Sequence, residues 1–278
     1  MKVKIYTFPD KRPDFIELQK KSIENFLKDD YEYIIINNGS NNESRKEIFD
    51  ICNNNGIKHI YVENPNHSDP NIACAYPINQ TLDKYIKVEK EKDIISVIID
   101  SDMFFISDFS IVDFIGDNEV SAIYQVRGDV NYLWNGIVFI NNSKVIDIES
   151  FDFGYQIIND ILVQKQVQHR TDVGGNMYFY LKEHPDCKVK YIYSTSHIKS
   201  QSNNLDSLPD EILKIYDDSF CYEIIEKSIL HYGRGSNWDN MVPDYHKRKT
   251  ELLHFFVNGC LNNEIKIKNK TKWEERYL

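Results

Sequence analysis

The sequence predicts an α/β protein with a mixed central sheet, and three observations carry that prediction. Short apolar runs recur through the first hundred residues, separated by stretches with helical spacing of apolar side chains. Most of these runs are continuous rather than alternating, as strands covered by helices on both faces are. Beyond residue 105 the rhythm changes, and strand-like runs follow one another with only short polar segments between them.

The first strand is residues 2–8, KVKIYTF, stopped by Pro9 and the polar DKRPD. A helix is expected from Asp14, where Asp14-x-x-Glu17 has the form of a capping box, and Phe15, Leu18, Ile23, Phe26 and Leu27 recur at helical spacing. YEYIII (31–36) is the second strand, closed by the turn-like NNGSNN. Residues 43–54 repeat the helical pattern, and Gly56 is placed to stop it. IKHIYV (57–62) is a third strand, a helix is expected over 72–87, and IISVII (94–99) is the fourth strand. After these β-α units come strands at 119–126 and 135–141, a helical stretch over 143–163, a helix inside the segment 169–181, a strand at 188–193 and a helical tail from residue 245. That tail ends in the basic KIKNKTKW.

Composition narrows the partners. The chain has 278 residues, a net charge of −10 and a pI near 5.3, so a nucleic-acid backbone is excluded as an expected partner. An anionic substrate would need a metal ion or a few placed cations. The opening residues carry too short an apolar run for a signal peptide, and no window has the length of a membrane span. Cys52, Cys74, Cys187, Cys221 and Cys260 are scattered without a C-x-x-C pair, which argues for reduced thiols and against a zinc site. A cytoplasmic location is the expectation.

The fourth strand runs directly into Asp100-Ser101-Asp102. Twenty-five Asp in a chain of this length give about two Asp-x-Asp pairs by chance, so the pattern alone means little. Its position gives it weight. The one such pair closes the most apolar strand, at the carboxyl edge where open α/β sheets bind ligands. Residues i and i+2 of an extended segment face the same way, so both carboxylates can converge on one ion. Oxygen ligands suit Mg²⁺ or Mn²⁺, which keep positions for water and phosphate. The alternative is a strand end emerging into water.

Taken together, the strand ending in DSD after three β-α units resembles the DxD arrangement of GT-A-fold glycosyltransferases. LWNGIVFINN (133–142) is similar to the segment of glycogenin-like and galactosyltransferase-like enzymes in which Asn and Gly precede a strand lining the sugar site. LHYGRGSNW (230–238) resembles their C-terminal His-Gly-Trp motif, in which the His completes the metal site and a Lys contacts the diphosphate. Asn237 stands where that Lys is expected, and Arg234 is the candidate replacement cation. The resemblance spans residues 1–240. It implies a Rossmann-like, nucleotide-diphospho-sugar transferase fold over 1–245, with a nucleotide-binding half (1–105), an acceptor half (106–245) and a helical extension (246–278). The activity implied is metal-dependent transfer from a nucleotide-diphosphate sugar, UDP-linked and slightly favoured as retaining, to a glycan, protein or small-molecule acceptor.

The expected ligands of the Mn²⁺ or Mg²⁺ ion are Asp100, Asp102 and His231. His231 can equally be a strand-end residue satisfied by backbone groups. Thr7, Phe8, Asn38, Gly39, Asp100, Ser101 and Arg234 are the donor-binding candidates, with Ser40 beside Gly39, where a plain turn is the alternative. Asp172, ahead of two glycines in RTDVGGNMYFY, is the candidate acceptor-side carboxylate, or else a helix N-cap. Arg127 and Asp129 can reach hydroxyls, and Trp134 and Trp238 can stack on sugar rings or sit in the core. Three rivals remain. A haloacid-dehalogenase-like phosphatase carries its Asp-x-Asp on the first strand and follows it with a small polar residue. A sugar-nucleotide pyrophosphorylase needs a Gly-rich loop after the first strand, and TFPDKRPD has no glycine. A pseudo-transferase that binds without turnover is the non-enzyme alternative.

Overall fold

A computed structural model describes residues 1–127, 130–155, 157–160, 167–196, 209–215, 222–233 and 243–267. In chain order, strand β1 (Lys2–Thr7) leads to helix α1 (Phe15–Phe26), β2 (Tyr31–Asn37), α2 (Asn42–Asn54) and β3 (Lys58–Tyr61). Helix α3 (Pro70–Thr81) continues through a looser turn into β4 (Ile94–Ile99), followed by β5 (Met103–Phe105) and α4 (Ile111–Ile115). Then come β6 (Val120–Arg127), β7 (Val130–Asn141), β8 (Ile157–Asp160), β9 (Val167–Arg170), α5 (Met177–Glu183) and β10 (Val189–Tyr191). The last elements are β11 (Ser194–Ser196), α6 (Asp210–Leu213), β12 (Glu223–Ile225), β13 (Ile229–His231) and α7 (Pro243–Leu261).

These elements divide between two compact units. The first comprises residues 1–13, 29–101 and 110–192. Its sheet runs β10-β6-β7-β4-β1-β2-β3, with β3, β2, β1 and β4 parallel and β7 antiparallel to both neighbours. The α/β class and the mixed sheet are thus as the sequence predicts. Val3, Ile5, Ile34–Ile36 and Ile95–Ile99 are buried along the central strands, the polar Ser96 included. Each large aliphatic side chain buried in this way contributes about 1.5–3 kcal/mol. Register sets Thr7 beside Ile99, so β1 and β4 end level at the carboxyl edge.

The second unit comprises residues 14–28, 102–109 and 193–278. Its antiparallel sheet runs β11-β12-β13-β5. The outer edge of β5 is satisfied by side chains of α1: Gln19 Nε2 donates to the Met103 carbonyl at 2.8 Å, and the Phe105 amide donates to Ser22 Oγ at 3.0 Å. That is one way to blunt an exposed strand edge, and it accounts for two buried polar residues on an otherwise apolar helix face.

Three local expectations are corrected. Asp14 makes no capping bond with its side chain, so the capping box is not formed, whereas Asn41 does cap α2 through Ser44 N at 2.8 Å. β7 begins at Val130, earlier than expected, because Val130–Trp134 pairs back onto β6 across a bulge at Ala122/Ile123. The helix expected over 143–163 is absent among its described residues. They form a short turn at Ile148–Ser150, entered through left-handed Asp147, and then β8, while Ile148, Phe151 and Phe153 fill the core.

Candidate functional site

In the second unit, strand pairing brings two of the expected ligands together. β13 lies antiparallel to β5 with His231 opposite Met103, and the Tyr232 amide donates to the Asp102 carbonyl at 2.8 Å. His231 Nε2 is thereby held 3.4 Å from Asp102 Oδ1. Opposite His231 on the other side stands Glu223 of β12, whose Oε2 is 2.7 Å from Nδ1. The ring is therefore set between two carboxylates, one at each nitrogen.

Burial alone would drive this imidazole toward its neutral form. The two carboxylates override that and hold its proton well above the ordinary imidazole range. Asp102 lies deeper than Glu223 although its contact is longer. Its side chain is 12% exposed against 32% for Glu223, so water screens it less. A divalent cation fits the donor chemistry of Asp102 and His231: hard carboxylate oxygen plus one imidazole nitrogen, with a second carboxylate fixing the ring from behind. Such a cation would take the place of the imidazole proton.

Sequence reasoning does not single out Glu223. The hairpin that sets it opposite His231 turns through Glu226 and Lys227, with φ of 48° and 58° and a Ser228 amide to Ile225 carbonyl bond of 3.0 Å. Two central residues at positive φ define a turn normally signalled by Asn-Gly or Asp-Gly. Glu-Lys gives no such signal, so the pairing cannot be read from the chain.

In the first unit, Asp100 follows the last residue of β4, half-buried, with its amide donating to the Gly136 carbonyl at 2.8 Å. One residue separates it from Asp102, so chain geometry alone keeps the two Cα atoms within about 7 Å. Ser101 between them is half-buried. Thr7 ends β1 fully buried, its hydroxyl without a hydrogen-bond partner among the described residues, and Phe8 packs on the core. After β2, the Asn38 carbonyl accepts from Asn64 Nδ2 at 2.8 Å and the Gly39 carbonyl from Arg45 Nε at 2.8 Å. A Cβ at Gly39 would sit 2.7 Å from the Arg45 amide nitrogen, and the Ser40 amide donates to Asp10 Oδ1 at 2.7 Å. Close packing on α2 is thus a sufficient reason for glycine at 39.

Asp172 is half-buried, and its Oδ1 accepts from the Val173 amide at 2.8 Å. It is not the cap of α5, which is Asn176. Its own amide donates to Tyr132 Oη at 2.9 Å, tying the segment to β7. The glycines that follow have structural work: a Cβ on Gly174 would overlap the Leu133 carbonyl, and one on Gly175 would overlap Thr171 Oγ1. Trp134 lies against Gly136, where a Cβ would come within 2.1 Å of the indole ring. Arg127 is exposed at the end of β6. Arg234, Asp129 and Trp238 lie outside the described residues.

No family model and no curated protein matches the chain. Solved structures do resemble it, several glycosyltransferases among them. GlyE of Streptococcus pneumoniae TIGR4 is 14% identical, over 98% of this chain and 66% of its own, with a TM-score of 0.40. LgtC, a galactosyltransferase solved with donor and acceptor sugar analogues, is 13% identical over 69% of this chain and 73% of its own, at 0.35. PcManGT, a mannosyltransferase of Pyrobaculum calidifontis solved with GDP-Man and Mn²⁺, is 12% identical over 50% of this chain, at 0.36. The chain spans 44% of PcManGT and 32% of the bifunctional glycosyltransferase WbbM. At these identities and TM-scores no residue of this chain is equated with a residue of those enzymes. The site stands on its own geometry.

Proposed function

We propose that the protein is a metal-dependent glycosyltransferase that takes a sugar from a nucleotide-diphosphate donor. The observation that carries this reading is the pairing of His231 with Asp102, two residues after Asp100, where the most apolar strand ends. Asp102 and His231 supply two ligand atoms, and Asp100, separated from Asp102 by one residue along the chain, is the expected third. When bound, a divalent cation there supplies Lewis-acid charge to the diphosphate leaving group, which also reconciles an acidic chain with an anionic donor.

The chain's own groups would do the rest. Thr7, Phe8, Asn38, Gly39 and Ser101 lie at or just beyond strand ends, where the resemblance sets the base and ribose. Arg234 follows Gly233 and is the candidate diphosphate cation. Asp172 is the candidate acceptor-side carboxylate, with Oδ1 fixed by its neighbour's amide. The resemblance favours a UDP-linked donor, Mn²⁺ and retention of anomeric configuration.

The reading is tested by thermal shift with UDP, with inorganic phosphate and with neither, each in the presence and absence of Mn²⁺. Stabilisation by UDP that requires Mn²⁺ is expected, and Asp102→Asn should abolish it. Metal-independent stabilisation by phosphate alone would favour the phosphatase instead. Full Mn²⁺-dependent UDP binding by Asp102→Asn would remove Asp102 from the ligand set.

A further inference from the structure

Helix α7, expected as an extension, belongs to the second unit and delivers a fully buried lysine to the segment that carries His231. Lys249 has no exposed surface, which is rare for this residue type. Its ammonium donates to the Gly233 carbonyl at 2.6 Å. The same nitrogen lies 4.0 Å from the centre of the Tyr232 ring, 5.3 Å from Tyr222 and 5.7 Å from Tyr245. The Tyr222 hydroxyl donates in turn to the Lys249 carbonyl. Three ring faces around a desolvated ammonium stabilise the charge where it is.

We infer that Lys249 is a positioning residue for His231. Three consecutive residues of this segment are each held at one point: the His231 ring by Glu223, the Tyr232 amide by the Asp102 carbonyl, and the Gly233 carbonyl by Lys249. Gly233 sits at φ +67°, a left-handed conformation that favours glycine. With the lysine bond in place, that conformation cannot relax, and the imidazole keeps the direction that points Nε2 at Asp102. A methionine would fill the same space without the cost of burying an ammonium. Global stability is therefore a poor reporter of the role, and the direction of the His231 ring is a good one. The functional consequence rests on the metal reading above.

The test uses the full chain. Lys249→Met is compared with wild type by long-range ¹H–¹⁵N NMR spectra of the His231 ring in metal-free protein, and by calorimetric titration with Mn²⁺. The ring signals are expected to shift or broaden, and the Mn²⁺ Kd to rise about tenfold, as for loss of an outer-shell contact. Lys249→Arg, which keeps a cation and a donor, should stay within about threefold of wild type. Unchanged ring signals in folded Lys249→Met protein overturn the inference. Shifted signals in a protein whose wild type binds no Mn²⁺ sink the metal reading and leave the positioning role standing. If Lys249→Met does not fold, Lys249→Gln, whose shorter, uncharged side chain withdraws the ammonium from the Gly233 carbonyl, is read in the same way, and unchanged ring signals there overturn the inference too.

Discussion

Replacing Glu223 with Gln removes one charge and little else. The amide has the shape of the carboxylate and can still accept the Nδ1–H that makes the 2.7 Å contact with His231. What disappears is the negative charge behind the ring, which makes Nε2 a better donor to a metal. Carboxylates in that position are worth about 10–100-fold in metal affinity. Here the side chain is 32% exposed, so screening puts the charge at the lower end of that range. The expected loss for Glu223→Gln is about tenfold, or about 1.4 kcal/mol. Glu223→Ala also loses the acceptor and leaves the ring free to turn, so about 100-fold is expected. Calorimetric titration with Mn²⁺ at one pH measures both, with Asp102→Asn as the floor. If the Gln and Ala variants both bind within about twofold of wild type while Asp102→Asn does not bind, Glu223 does not orient His231 and the reasoning fails.

Two predictions concern the first unit. Gly174 adopts φ +96° and lies against the Leu133 carbonyl. Gly174→Ala should therefore cost about 2–5 kcal/mol, the sum of left-handed strain and overpacking. The urea midpoint should fall with little change in slope, and a loss below about 1 kcal/mol would show that the two segments can separate freely. Glu89 is bonded by Lys4 at 2.7 Å and by Lys92 at 2.9 Å. Burial opposes its ionisation, but the lysines prevail and hold the carboxyl below its usual range. A depressed carboxylate stabilises the fold above its unfolded pKa of about 4.3, and that contribution is lost as pH falls through the lower, folded value. Lys4→Met should thus destabilise by about 1–2 kcal/mol at pH 7 and flatten the decline of Tm below about pH 5. Parallel pH profiles for the two proteins would refute the assignment.

The half of the chain most legible in sequence is the one whose burial is least ambiguous. Strands such as Ile94–Ile99 are apolar almost throughout and bounded by polar turns, so their type and edges follow from composition. Residues 143–155 mislead because Val145, Ile148 and Phe151 fall at helical spacing. Their burial is instead met by a turn and an extended segment, which spacing alone does not distinguish. The carboxylates at 100 and 102 are readable from position, and His231 from a resemblance. Glu223 is not, because its place depends on a hairpin whose turn residues are Glu and Lys. Lys249 is hidden for a different reason: a lysine in an amphipathic helix is read as solvent-facing, and its burial depends on tyrosines from other parts of the chain.

The packing of Trp134 over Gly136 has an optical consequence. The glycine leaves room for the indole, and the same residue's carbonyl accepts the Asp100 amide at 2.8 Å. The chain holds three tryptophans, of which Trp134 is the one among the described residues. An intrinsic fluorophore is therefore mounted one hydrogen bond from a proposed ligand. A change in backbone at the end of β4 is expected to alter Trp134 emission, read against Trp134→Phe to subtract the other two tryptophans.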